Sequence, residues 1–292
     1  MRYTLKNDCL TVEIDSLGAE MVSVKRIADP CEYIWQGDPA YWNGHAPHMF
    51  PICGRLWQGT YSHRGVEYRM ALHGFARKRE FATEQISNTE IRFTLCDDEK
   101  TREVYPFAFA LTVTYNLDGN RLDCRATIAN TGKEILPATF GAHPGFCVPI
   151  DGKGDFSDYY LEFSEPCSPD KMLFEEVVYA SGKKRGMTLE DGRRIRLHHR
   201  MFDQDGVFLN RMASSVTLKA DCTDRYVTLC YPDMSYLGIW HAPKTDAPYV
   251  CIEPWCGFPG YAHTVEDIME KADMFRIEPN AKKDVSYSIT FG

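Results

Sequence analysis

The chain has no CxxC pair, no HExxH pair, no complete glycine-rich phosphate loop and no Gly-x-Ser-x-Gly elbow. Each absence removes a class of chemistry. Without short-range His or Cys pairs, no spacing argues for a zinc centre, and His73 and His143 are too scattered to suggest one. Gly152-Lys153-Gly154 lacks both the third glycine and the following helix of a dinucleotide fingerprint. The missing elbow removes the hydrolase nucleophile. No run approaches the ~20 apolar residues that a membrane helix needs. No basic stretch is long enough to track a phosphate backbone, and Lys+Arg 33 against Asp+Glu 41 leaves a net charge of -8, so neither nucleic acid nor membrane is an expected partner. What remains is acid–base chemistry without cofactor or metal.

The eleven cysteines are odd in number, and several fall within apolar strand patterns (Cys96, Cys124, Cys230, Cys251). They read as small buried hydrophobes rather than as disulfides or zinc ligands. Met1-Arg2-Tyr3-Thr4-Leu5-Lys6 enters the first strand without an apolar export segment, and the expected location is cytoplasmic. At 292 residues the chain buries about 75% of its unfolded surface without needing staples.

Alternation with period two dominates. Leu10, Val12 and Ile14 face one way, with Thr11, Glu13 and Asp15 opposite; Met21 to Lys25 reads as the hairpin partner. Similar runs recur at 91–95, 107–115, 122–128, 159–163, 216–218, 226–229 and 285–290. Leu117-Asp118-Gly119-Asn120 signals a hairpin. Short helices are expected over 97–105 and 264–271, and loops over 151–155, 181–186 and 191–194. Strands of one style flank every loop, which predicts one all-β domain over 1–292: a large antiparallel β-sandwich with few short helices. Its ligand cleft should lie on one concave sheet face.

Against this background, Tyr249-Val250-Cys251-Ile252-Glu253-Pro254-Trp255 stands out. A buried strand runs into a carboxylate, and Pro254 should end the ladder at Glu253 or just after it. That sets Glu253 at the rim of an apolar interior beside Trp255, where partial burial raises a carboxylate's pKa toward that of a working base. The plainer alternative is a strand-end glutamate capping a loop or pairing with an arginine. Gly54-Arg55 offers an inward guanidinium suited to hydroxyls or a carboxylate, after a stretch bracketed by Pro47 and Pro51. His48, within that stretch, reads as a satisfied semi-buried histidine. In His73-Gly74-Phe75-Ala76-Arg77, Gly74 permits a backbone angle that brings the flanking side chains to one point. His143 sits between Gly141-Ala142 and a Pro-Gly turn, where packing alone gives it little purpose. His198, His199 and His241 read as structural or surface residues.

Together, Phe50-Pro51-Ile52-Cys53-Gly54-Arg55-Leu56, His73-Gly74-Phe75-Ala76-Arg77, His143-Pro144-Gly145-Phe146, Asp205-Gly206-Val207-Phe208 and Cys251-Ile252-Glu253-Pro254-Trp255 resemble the aldose 1-epimerase (galactose mutarotase) family, particularly its shorter LacX-like branch. The resemblance runs along nearly the whole chain. It implies a β-supersandwich with a sugar cleft, no required metal, and interconversion of the α and β anomers of a hexose. By it, Glu253 corresponds to the general base and His143 to the general acid. Arg55 and His73 correspond to sugar-contacting positions, and Asp205 to a substrate-binding aspartate, with Asp203 two residues away as the alternative. Trp255, Phe75 and Phe146 could cover the sugar's C–H face or pack in the core. His48 departs from an expected aliphatic residue and is expected to narrow or polarise the pocket entrance. Two other readings stay open: a hexose-6-phosphate 1-epimerase using Arg77-Lys78-Arg79 as phosphate anchor, and a non-catalytic sugar-binding module.

Overall fold

The computed structural model describes residues 1–29, 31–176 and 178–292. Two large antiparallel sheets organise them. The nine-stranded sheet runs in the spatial order Arg194–Arg196, Tyr159–Phe163, Ser215–Ala220, Tyr226–Cys230, Lys282–Phe291, Arg121–Asn130, Phe109–Asp118, Glu90–Cys96 and Ala82–Gln85. The eight-stranded sheet runs Tyr179–Gly186, Asp170–Glu175, Val207–Asn210, Tyr236–Trp240, Tyr249–Trp255, Gly141–Ala142 and His48–Met49, with Gly145–Cys147 also paired to Tyr249–Trp255. A three-stranded sheet, formed by Arg2–Lys6, Leu10–Asp15 and Glu20–Arg26, completes the main framework.

The period-two pattern explains the layering. On Phe109–Asp118, Leu111, Val113 and Tyr115 are buried while Thr112 and Thr114 remain partly exposed. The inward rows of the nine-stranded sheet meet Leu209, Leu237, Ile239, Val250 and Ile252 of the eight-stranded sheet in one continuous core. Successive side chains on a strand point to opposite faces, so Tyr249, Cys251, Glu253 and Trp255 must face away from that core. They are buried as well, because aromatic clusters and loops cover the second face. This is the concave face on which the site is built.

Several local expectations are revised. The ladder passes through Pro254 to Trp255. Ile252 and Cys256, on either side of Pro254, donate to Pro144 and Phe140. Pro254 falls between them, opposite the break separating Gly141–Ala142 from Gly145–Cys147, where its missing donor costs no regular ladder bond. Residues 181–186 belong to an edge strand, Tyr179–Gly186, whose exposed basic side chains read as a loop in sequence. The expected helix at 264–271 is turn and irregular backbone. The other one forms as Glu99–Val104, closed at its start by an Asp98–Thr101 capping box. All eleven cysteines are free. Cys124 and Cys251 are buried as expected, whereas Cys96, at a strand end, is exposed.

Candidate active site

Register builds the centre of the site. Tyr249–Trp255 pairs with Gly141 at Trp255 and with Gly145 at Cys251, which sets His143 opposite Glu253. On the other flank Gly238 pairs with Glu253, and Phe208 pairs with Gly238. One transverse row therefore reads His143, Glu253, Gly238, Phe208. Gly238 is required by close approach: a Cβ there would lie 2.9 Å from the Phe208 ring and 3.2 Å from the Cβ of Glu253. Cross-strand neighbours on one face touch, and His143 Nε2 lies 3.3 Å from Glu253 Oε2. Both are buried, at 8% and 1% exposure.

The remaining predicted residues come from loops. Gly74 has φ +73, and a Cβ there would meet the Phe50 carbonyl oxygen at 2.1 Å, so only glycine lets residues 73–77 lie against the 47–56 segment. His73 itself has φ +62. The Gly54 N–H donates to His73 Nδ1 at 3.0 Å. Nδ1 is therefore an acceptor, and the neutral ring carries its proton on Nε2 as a donor. Asp205 accepts from Trp240 Nε1 at 2.8 Å. Asp203, the alternative, does not line the cavity.

Arg55, His73, His143, Asp205, Glu253 and Trp255 all line one cavity of about 430 Å³. That volume falls within the range for small-molecule sites, about 300–1,000 Å³. Trp42 stacks on His143 at 4.9 Å, Trp240 meets its edge at 5.7 Å, and Phe208 packs on Trp255 at 4.9 Å. These three aromatics form much of the apolar wall, and sequence reasoning missed them as lining residues. Strand pairing turns Trp240 and Phe208 toward the cavity, and Trp42 reaches it from the loop ahead of His48–Met49; no local pattern reveals either. Phe75 and Phe146 pack with the core instead. Arg77 lines the cavity, but Lys78 and Arg79 do not, and Arg79 pairs with Asp98.

His48 also corrects its expectation. It is absent from the cavity wall and fully buried between the sheets, with Nε2 3.2 Å from the Tyr287 hydroxyl and Nδ1 3.4 Å from the Gly18 carbonyl oxygen.

Burial governs the electrostatics. It pushes Glu253 well above the usual carboxylate range, with the nearby Asp205 charge adding to the effect. It pulls His143 down to about 3 and His73 well below the ordinary imidazole value. Asp205 is raised, again mainly by burial. Because Glu253 and His143 touch, they titrate as a pair. With one proton the pair is either neutral, the proton on Glu253, or an ion pair, the proton on His143. Both arrangements have the same net charge. Glu253 Oε1 and His143 Nδ1 are buried without a hydrogen-bond partner. Such groups carry a desolvation cost unless something completes them.

Comparison with known proteins gives the family. The sequence profile described as aldose 1-epimerase matches residues 1–264. Protein LacX (plasmid) of Lactococcus lactis subsp. lactis is 32% identical over 299 residues, spanning 99% of each chain. A galactose mutarotase related enzyme from Lactobacillus acidophilus superposes with a TM-score of 0.94 at 32% identity, over 100% of this chain and 97% of that one. A galactose mutarotase-like protein from Lactobacillus casei ATCC 334 gives 0.93 at 30% identity, with 100% of both chains covered. On the profile match and the full-length relatives together, the chain belongs to the aldose 1-epimerase family.

Proposed function

We propose that the protein is a mutarotase that interconverts the α and β anomers of a hexose by opening and reclosing the sugar ring. The observation that carries this reading is the buried Glu253–His143 contact of 3.3 Å in the cavity wall. The anomeric hydroxyl oxygen and the ring oxygen are bonded to one carbon, so adjacent side chains can serve both. Glu253 takes the hydroxyl proton, His143 gives its proton to the ring oxygen, and the bond from the anomeric carbon to that oxygen breaks. The aldehyde rotates about one bond and recloses on its other face as both transfers reverse.

Burial tunes both groups in the productive direction. A carboxylate pushed up is a stronger base, and an imidazolium pulled down is a stronger acid. After ring opening the pair is neutral, which is the arrangement a dry pocket favours. Each proton transfer contributes about 10²–10⁴-fold in rate. His73 Nε2–H, Asp205 and Arg55 are assigned to sugar hydroxyls, and Trp255 with the other aromatics to the C–H face. The sugar chemistry calls on no metal or cofactor, and the site is proposed to work on a small sugar in the cytoplasm, where free thiols persist.

A hexose-6-phosphate is the second reading, favoured by Arg55 and Arg77. Both line the cavity, neither has an acidic partner within salt-bridge distance among the described residues, and Arg77 Nε is buried without a partner. Polarimetry on freshly dissolved α-glucose, α-galactose and glucose 6-phosphate tests both readings. Acceleration over buffer is expected, abolished by Glu253→Gln with sugar binding retained. Wild-type protein no faster than buffer on all three sugars would leave only a sugar-binding module.

A further inference from the structure

We propose that Cys251, buried just behind the cavity wall, binds a soft divalent cation, zinc in the first instance, together with the wall residues His143 and Glu253, and that the bound ion switches the acid–base pair off. The control function rests on the proposed role of that pair; the metal site does not. Cys251 precedes Glu253 by two residues on Tyr249–Trp255 and so projects from the same face. His143 stands opposite Glu253 across the ladder. One sulfur, one nitrogen and one oxygen donor from these residues lie within 4.8 Å of one another, all on buried side chains. Among the described residues, no other group of three such donors has this arrangement.

Two further facts point to a ligand. Glu253 Oε1 and His143 Nδ1 are buried with no hydrogen-bond partner, so the site holds unspent donor capacity. The donor set is also selective. Thiolate, imidazole and carboxylate suit zinc, whereas magnesium and calcium prefer all-oxygen shells. Binding releases the Cys251 thiol proton to solvent. Thiolate and carboxylate then cancel the charge of the ion, which leaves the buried site neutral. The ion occupies the lone pairs that both proton transfers need, so the loaded site cannot catalyse. Cys251 itself touches no reacting atom in the proposed mechanism.

Titration of chelator-treated protein with Co²⁺ tests the site independently of activity. One Co²⁺ per chain, a thiolate-to-cobalt charge-transfer band and its displacement by Zn²⁺ are expected. Cys251→Ser should remove the band yet keep mutarotation and resist zinc by at least about tenfold, or about 1.4 kcal/mol of lost affinity. Cys251→Ala serves if the serine variant misfolds, and Glu253→Gln should weaken the same band. No band in the wild type overturns the site. So does a band or zinc sensitivity that survives loss of Cys251, which would locate the metal on the exposed Cys9, Cys96 or Cys222. A protein that binds cobalt through Cys251 but never accelerates mutarotation keeps the metal site and overturns its control of catalysis. An active protein without the band overturns the metal site and its control of catalysis while leaving the mutarotase reading standing.

Discussion

His48 and His143 sit almost side by side across one ladder. His48 pairs with Ala142, the residue before His143, and the His143 N–H donates to the Pro47 carbonyl at 3.0 Å. Both are buried, and burial pulls their pKa values down to about 4 and about 3. One step of register separates them, so they face opposite sides of the sheet. His48 points into the core, where Tyr287 and Gly18 engage its two nitrogens. His143 points into the cavity, in contact with a carboxylate, with Nδ1 left over. Neither burial nor a depressed pKa therefore sets apart the histidine assigned to catalysis from the one in the core. What distinguishes the two is the neighbours that each face supplies.

That contrast breaks most directly at His143. His143→Gln should lower kcat by about 10²–10⁴-fold while circular dichroism stays native. In the proposed mechanism the wild-type pair works when it holds one proton. It gains a second only as pH falls toward about 3, and loses the first above the raised Glu253 value. The kcat/KM profile should therefore have its acid limb well below the ordinary imidazole range near 6.5, and its alkaline limb above the ordinary carboxylate range. An acid limb close to the ordinary imidazole value would contradict the assignment. Asp205→Asn should act more mildly, since Trp240 still finds an oxygen acceptor at that position. Losing one charge-assisted hydrogen bond to sugar predicts a KM higher by about ten- to a hundredfold with a smaller change in kcat. A kcat loss equal to that of His143→Gln would place Asp205 in the proton transfers.

His48→Leu should have the smallest effect on turnover, about twofold or less, well under the 1.4 kcal/mol that a tenfold change represents. Its signature is acid stability. The folded pKa of His48 lies near 4, below the unfolded value of about 6.5, so the unfolded chain binds the proton first as pH falls. Stability from this group is complete above about 6.5 and is lost progressively down to about 4, a span worth roughly 3 kcal/mol. Urea unfolding of wild type and His48→Leu, at neutral pH and near pH 4, should show a shallower acid loss in the variant. Equal losses would mean that His48 is protonated in the folded state.

The all-β architecture was legible because half-buried strands write their alternation into the sequence, as in Leu111, Val113 and Tyr115 against Thr112 and Thr114. Misreadings came where local chemistry competed with pairing. Ser181 to Gly186 has loop composition, yet edge position tolerates it in a strand. Pro254 reads as a terminator, yet it falls opposite a break in the neighbouring strand. Arg55, His73, His143 and Glu253 stood out from their settings beside glycines and prolines, whereas Asp205 came only from the family resemblance and Asn43 was missed. Trp42, Trp240 and Phe208 were missed too, because an aromatic in a β-protein looks the same whether it fills a core or lines a cleft.

Taken alone, the order of residues determined that strands would form, that a carboxylate would terminate one apolar run, and that histidines would sit where packing gives them little purpose. Only the tertiary structure decided that positions 143 and 253 are register partners, because pairing between distant strands depends on how whole sheets align rather than on any short stretch. The same alignment turned one histidine inward and its near neighbour toward the cavity, a choice that period-two geometry makes all or none.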